Sequence, residues 1–212
     1  MPKIIGESLA SHRELTRTRL FEALGSLMAE QAFESITMSQ IAERAGVGRT
    51  AVYNHFADKE VLLLAYMRQV TEEFTRVLTA RLESEPDPLM RLRIYIRAHL
   101  QMIGRYHVKA GMGLRRQMSG QGASHLHDHA GVVGELLIGI LDEAMERGLI
   151  VEQNTLGAVH LIHATLQGQR LPKDPAHRES ALLLVETFIL RGLGASEDNV
   201  RHVTTSTLPA GE

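Results

Sequence analysis

Cysteine is absent from the 212 residues, and so is tryptophan. The first absence excludes disulfides, thiolate zinc sites, iron–sulfur clusters and cysteine nucleophiles together. Aromatic residues make up only 4% of the chain, so a core has to be built from Leu, Ile, Val, Met and Ala. Such a core favours packed helices over sheets. No run of about 18 apolar residues occurs, so no membrane-spanning segment is expected. The opening stretch, MPKIIGESLASHRE, lacks the apolar core and small-residue cleavage pattern of a secretory signal, which points to the cytoplasm. Neither charge dominates: 23 Lys and Arg face 25 Asp and Glu, a net charge of −2. Any binding to nucleic acid therefore has to rest on locally placed groups.

What is present is helical periodicity almost throughout, with no internal repeat. Leu20, Leu24, Leu27 and Met28 form one stripe of a first helix over 11–31. Thr37 and Gln40 fit a capping box that opens a short helix running to Ala45 and stopping at Gly46. A second short helix follows over 49–56. Asp58 is placed to cap a long helix ending near Glu85, ahead of Pro86 and Pro88. Asp87-Pro88 and Asp174-Pro175 mark two more helix starts, and Asn154 or Thr155 another. The fold class expected is all-α: a small N-terminal helical triad over 1–57, a larger bundle over 58–194, and a flexible polar tail over 195–212.

The informative segment is 37–59, TMSQIAERAGVGRTAVYNHFADK. Ala42 is small enough for two helices to cross closely, Gly46 tolerates the turn between them, and Ile41 and Val52 supply apolar side chains to a three-helix core. Tyr53, Asn54, His55, Phe56, Ala57, Asp58 and Lys59 follow as a Tyr-x-His-Phe-x-(Asn/Asp/Ser)-Lys sequence. This segment resembles the DNA-binding domain of the tetracycline-repressor (TetR) family, a resemblance that covers about residues 13–60. The Leu190-Arg191-Gly192-Leu193 run resembles many family C-termini. Two positions depart from the family pattern: Ala32 stands where Gly often ends the first helix, and Gly48 where Ser often caps the recognition helix.

The resemblance implies a helix-turn-helix whose recognition helix, Arg49 to His55, lies in the major groove of double-stranded DNA. Arg49 and Thr50 are then candidates for reading base edges, and Ala51 for contact with a thymine methyl. Thr37 is placed to bond a phosphate through its hydroxyl and amide, and Tyr53, Asn54, His55 and Lys59 to meet the backbone. Phe56 belongs to the core.

For the larger domain the resemblance implies an effector-binding, homodimeric module. Leu156, Val159, Leu161, Ile162 and Leu166, with Leu182, Val185, Phe188 and Ile189, offer more apolar surface than one inner face requires. Leu100, Met102, Ile103, Met112, Met118, Leu137 and Met145 are candidate lining for a hydrophobic ligand. Histidine is frequent, with 11 residues. His125 and His129, with Asp128 between them, and His160 and His163 have spacings that suit a metal ion.

Glu135, Asp142 and Glu143 are the available acids, but no Glu-x-x-His pair, phosphate loop or Gly-x-Ser-x-Gly elbow accompanies them. The expectation is therefore a non-enzymatic transcriptional regulator, a repressor that needs no cofactor and answers to a small effector. A metal-responsive regulator and an effector-independent DNA-binding protein are the alternatives.

Overall fold

The computed structural model describes the backbone of residues 3–106 and 120–208, with side chains over 11–103 and 133–208. Among the described residues the regular structure is helical: α1 (Lys3–Glu30), a 3₁₀ turn (Phe33–Ser35), α2 (Met38–Ala45), α3 (Arg49–His55), α4 (Lys59–Glu83), α5 (Pro88–Tyr106), α6 (Gly120–Glu146), α7 (Thr155–Gln167), α8 (Pro175–Gly192) and α9 (Glu197–Thr205). The capped helix starts read from the sequence at Asp58, Asp87, Asn154 and Asp174 are present. Asp58 Oδ1 accepts the amides of Glu60 and Val61 at 2.8 and 2.9 Å, and Asp87 Oδ1 that of Leu89 at 2.9 Å. Asn154 Oδ1 accepts Gly157 N–H, and Asp174 Oδ2 that of His177. The first helix begins well before Ser11, because 3–10 contains neither proline nor an early cap.

The backbone divides into two compact units within α4, after Val70. The motif-based boundary at residue 57 falls short of this, because Leu62, Leu63, Tyr66, Met67 and Val70 of α4 are all buried. Leu20, Leu24, Ile41, Val52, Leu62 and Leu63 are fully excluded from solvent. Each such side chain contributes about 1.5–3 kcal/mol. The ring of Phe21 lies 5.8 Å from that of Phe56 and 5.9 Å from that of Tyr66, so three scarce aromatics meet in one place.

The second unit holds the rest of α4, α5 as far as Arg105, α6 from His127 onward, and α7 to α9. Its core runs from Leu78 and Leu82 through Leu92, Ile94 and Ile96 to Leu137, Leu141, Ile162, Leu166 and Ile189. An ion network crosses it. Arg93 Nε donates to Glu186 Oε2 at 2.9 Å, with both side chains buried, and Arg97 bonds both Glu186 and Glu179.

The flexible tail expected from residue 195 is instead helical over Glu197–Thr205. Ser196 Oγ accepts Asn199 N–H at 3.2 Å, and Glu197 and Asp198 fill the first turn, where the helix dipole favours negative charge. Val200 and Val203, three apart, are buried. The buried Arg93 guanidinium donates to the carbonyls of Val203 and Ser206 at 2.6 Å each. A mostly polar composition conceals these two inward valines. Replacing Glu186 leaves Arg93 and Arg97 without their shared carboxylate, so Glu186→Gln is expected to destabilise the protein by about 3–5 kcal/mol in urea unfolding. An unchanged midpoint would show that the network contributes nothing net.

Candidate functional site

The corner between α2 and α3 is set by a few backbone angles. Gly46 adopts φ 65° and ψ 33°, the left-handed conformation that a side chain resists. Val47 N–H returns to Ala42 O at 3.0 Å, and Ala42 itself is buried. Gly48, extended at φ −67° and ψ 147°, precedes α3 and caps it with its carbonyl, not with a side chain. Ala32 is likewise extended, at φ −64°, so alanine carries no strain there.

With Val52 fully buried and Phe56 nearly so, α3 turns its opposite side outward. Arg49, Thr50, Tyr53 and Asn54 are exposed, while Ala51 and His55 are half-buried. At about 100° per residue, the four exposed side chains span an arc of about 140°. Tyr53 is 57% exposed, a large aromatic left in solvent by a chain that has few. His55 is held below the ordinary histidine range by burial and next by the positive charge of Arg13, with Glu14 opposing and Arg17 and His12 adding to the shift. Near neutral pH it is therefore an uncharged donor or acceptor, not a cation.

Arg13 and Arg17, four apart on α1, thus stand close enough to α3 for their charge to act there. Sequence reasoning leaves them out. Arg17 also packs its guanidinium 5.3 Å from the centroid of the Phe21 ring. The available signal is a pair of basic residues at i, i+4 in the helix preceding the motif.

Two of the expected phosphate contacts look different in three dimensions. Thr37 N–H and Oγ1–H both donate to Gln40 Oε1, at 2.8 and 2.9 Å, while Thr37 Oγ1 accepts Gln40 N–H at 3.2 Å. The capping box is present as the sequence implied, and it occupies the very groups a phosphate needs. Lys59 has partners within the protein. Its ammonium donates to the carbonyls of Phe33, Glu34 and Ile36 at 3.1, 2.9 and 2.9 Å and lies 4.8 Å from the Phe33 ring centroid. All three of its protons are engaged in closing the turn between α1 and α2, so a phosphate has to displace these carbonyls to pair with it.

In the second unit, Leu100 and Leu137 are sealed in the core, Ile103 is buried, and Met102 and Met145 are half-buried. Met112 and Met118 lie outside the described residues, as do the side chains of His125, Asp128 and His129. His160 is exposed, whereas His163 Nε2 bonds the Tyr95 hydroxyl at 2.6 Å. Among the described residues no group of three His, Asp or Glu side chains is arranged to hold a metal. Two of the acids have structural partners: Asp142 accepts the Thr155 hydroxyl at 2.7 Å, and Glu143 bonds Arg91 and Arg147.

The polar cluster that sequence reasoning misses joins Tyr95 and His99 of α5 to His163 of α7. The His99 ring is 5.7 Å from that of Tyr95 and 5.3 Å from that of His163, with interplanar angles of 28° and 20°. Phe74 meets His99 edge-on at 6.2 Å and 84°. Burial, and secondarily His163, push His99 down to about 3. Burial, then His160, lowers His163, and burial raises Tyr95, so all three are neutral near pH 7. His99 Nδ1 and Thr75 Oγ1 are buried with no hydrogen-bond partner among the described residues.

Residues 20–66 match the family model described as bacterial regulatory proteins, tetR family. By this segment the chain is similar to the DNA-binding domain of that family. An uncharacterized HTH-type transcriptional regulator of Mycobacterium tuberculosis (strain H37Rv) is 30% identical over 94 residues, covering 44% of this chain and 46% of the relative. The chain spans about half the length of the curated relatives it matches.

Two solved structures extend the likeness in fold. The TetR family transcriptional regulator PfmR from Thermus thermophilus superposes with a TM-score of 0.70 at 22% identity, covering 82% of this chain and 98% of PfmR. AibR, solved with isovaleryl coenzyme A and operator DNA, gives a TM-score of 0.66 at 17% identity, over 80% and 97% of the two chains.

The Lys59 arrangement makes a direct prediction. Lys59→Met leaves three carbonyls without their donor and should lower stability by about 1–3 kcal/mol in urea unfolding of the full chain. A midpoint equal to that of the unsubstituted protein would return Lys59 to the pool of free surface cations.

Proposed function

We propose that this chain is a homodimeric transcriptional repressor that binds a near-palindromic operator and releases it when a small effector occupies the second unit. The observation that carries the reading is the outward face of α3. Its exposed Arg49, Thr50, Tyr53 and Asn54 are backed by a buried Val52 and presented by the left-handed turn at Gly46. Arg49, in the first turn of α3, suits bidentate contact with a guanine, and Thr50 contact with a neighbouring base edge. Ala51 is placed for a thymine methyl. Tyr53, Asn54 and the neutral His55 contribute hydrogen bonds to the sugar-phosphate backbone, joined by Arg13 and Arg17. Thr37 joins them once the Gln40 side chain gives way to a phosphate.

The dimer reading rests on apolar side chains that the second unit leaves in solvent. On α7, Leu156 is 59% and Leu161 71% exposed; on α8, Leu184 is 71% and Phe188 63% exposed. Val159, Ile162, Leu166, Leu182, Val185 and Ile189 of the same helices already fill the protomer's own core. The outward set is therefore surplus to the monomer, as a two-fold four-helix interface requires. Two recognition helices then meet half-sites about 34 Å apart.

Because α4 continues unbroken from Lys59 to Glu83, it is the element through which an effector reaches the DNA-binding domain. An effector that favours the DNA-incompetent spacing by about 1–3 kcal/mol is sufficient for regulation. AibR, a protein of this fold, is described with both a small ligand and operator DNA. That pairing supports the same plan here.

Two measurements test the proposal. Purified protein at low salt should shift DNA fragments from beside its own coding region, and Arg49→Ala should lose about 1–3 kcal/mol of discrimination at one base position. Absence of any shift overturns the regulator reading, and a uniform loss across all sequences reassigns Arg49 to the backbone. Phe188→Glu and Leu161→Glu each place a charge on the surplus apolar face. Either should yield a folded monomer in sedimentation equilibrium, with operator affinity reduced by about tenfold or more as the second half-site is lost. A persistent dimer would locate the interface elsewhere.

A further inference from the structure

The cluster around His99 lies outside the hydrophobic lining expected from sequence and takes only His163 from the histidine pairs considered for a metal. Its geometry specifies a kind of ligand. His99 is 8% exposed, yet its Nδ1 has no partner among the described residues, and the Oγ1 of Thr75, next to the Phe74 that meets His99 edge-on, is orphaned as well. A buried polar atom left unsatisfied costs about 1–3 kcal/mol, and two in one helical unit invite a group that completes them. Their surroundings are flat. Tyr95, His99 and His163 are within 28° of parallel, with centroids 5.3–6.1 Å apart.

Among the described residues, the rings that meet His99 are a phenol, an imidazole and a phenyl ring, none of them charged near pH 7. The described charged side chains of α5 have other partners: Arg91 pairs with Glu143, Arg93 with Glu186, and Arg97 with Glu179 and Glu186. A carboxylate or ammonium brought against His99 loses its hydration and gains no counter-charge there. A neutral hydroxyl loses little, and bonds a neutral imidazole nitrogen well.

We propose that the effector of this protein is an uncharged planar compound bearing a hydroxyl, a phenol in the simplest case. It is held by a hydrogen bond to His99 Nδ1, with Thr75 Oγ1 as a second polar partner and the Tyr95–His99–His163 rings as its flat wall. This rests on the effector-responsive reading above and narrows it to a chemical class. His99 and Thr75 are the specificity-determining residues. Tyr95 is a positioning residue, because its hydroxyl bonds His163 and so sets the orientation of the stack.

The test uses the full-length protein without DNA at neutral pH and three matched probes: 4-ethylphenol, 4-ethylbenzoate and ethylbenzene. Calorimetry should show saturable binding of 4-ethylphenol, with 4-ethylbenzoate weaker by about tenfold or more, the scale of a desolvated and unpaired charge. On protein labelled with ¹⁵N-histidine, the phenol should shift the His99 Nδ1 resonance. His99→Phe keeps a ring and removes the nitrogen, so it should weaken the phenol by about tenfold, the loss of one buried hydrogen bond, and leave ethylbenzene unchanged. Thr75→Val should weaken the phenol several-fold.

The proposal is overturned if 4-ethylbenzoate binds as tightly as the phenol, if no probe saturates, or if the phenol binds without moving the His99 signal. Phenol affinity left intact in both variants overturns it too. Phenol binding that leaves an operator complex undisturbed supports the site and counts against the repressor mechanism. Failure of the phenol alongside an intact operator shift leaves the DNA-binding reading standing. The two conclusions therefore fail separately.

Discussion

The orientation of α3 depends on a turn that only a few residue types can make. Gly46 sits at φ 65°, where a β-carbon is strained, and Ala42 is small enough to let α3 cross α2 closely. A side chain at Gly46 meets open space and strains only the backbone, whereas the buried Ala42 leaves no room for a larger residue at the crossing. Val52 and Phe56 hold the helix from beneath, with Phe56 against Phe21. Lys59 locks the preceding turn by bonding the carbonyls of Phe33, Glu34 and Ile36. Surface chemistry at Arg49 and Tyr53 is thus a consequence of buried geometry several residues away.

The second unit solves a different problem. Its helices carry charged and polar groups into an apolar core, and most of these groups are answered. Arg93 and Arg97 share Glu186, and Arg93 also gathers the last carbonyls of α9. Tyr95 answers His163. Against that background the orphaned Nδ1 of His99 stands out, since a core able to satisfy a buried arginine has evident means to satisfy an imidazole. Stability alone favours an apolar ring at this position. Retention of a nitrogen there is the kind of cost that a binding site carries.

Legibility from sequence follows the range of the interactions. The helix starts at Thr37, Asn154, Asp174 and Asp87-Pro88 are local events, decided within four residues, and they are readable. The left-handed Gly46 and the inward Val52 are readable for the same reason. Lys59 misleads because its partners lie 23 to 26 residues earlier, and nothing in the motif distinguishes a solvated lysine from one folded onto carbonyls. α9 is hidden because two valines among polar residues give a weak period, and its anchor, Arg93, lies 110 residues before Val203. His99 escapes notice because a lone histidine on an apolar helix has no local signature. Its meaning comes from His163 on another helix.

The arrangement at Thr37 bears on how a chain of net charge −2 holds DNA at all. In the structure, the Gln40 side-chain oxygen takes both the amide and the hydroxyl of Thr37. A phosphate oxygen in the same place makes charge-assisted bonds, which are about twice as strong as neutral ones, so the exchange is favourable only when the phosphate arrives in register. In the proposed complex, with Lys59 bonded to three carbonyls as it is here, few cations are left to neutralise phosphates, and non-specific affinity is expected to be low. Binding by the proposed dimer is then the sum of a small number of geometrically strict contacts on two half-sites. Such a sum is fragile to spacing: a shift that misplaces one half-site loses its contacts together. On the proposed reading, a modest preference of the effector for the wrong spacing is thereby enough to clear the operator, without strong repulsion anywhere in the protein.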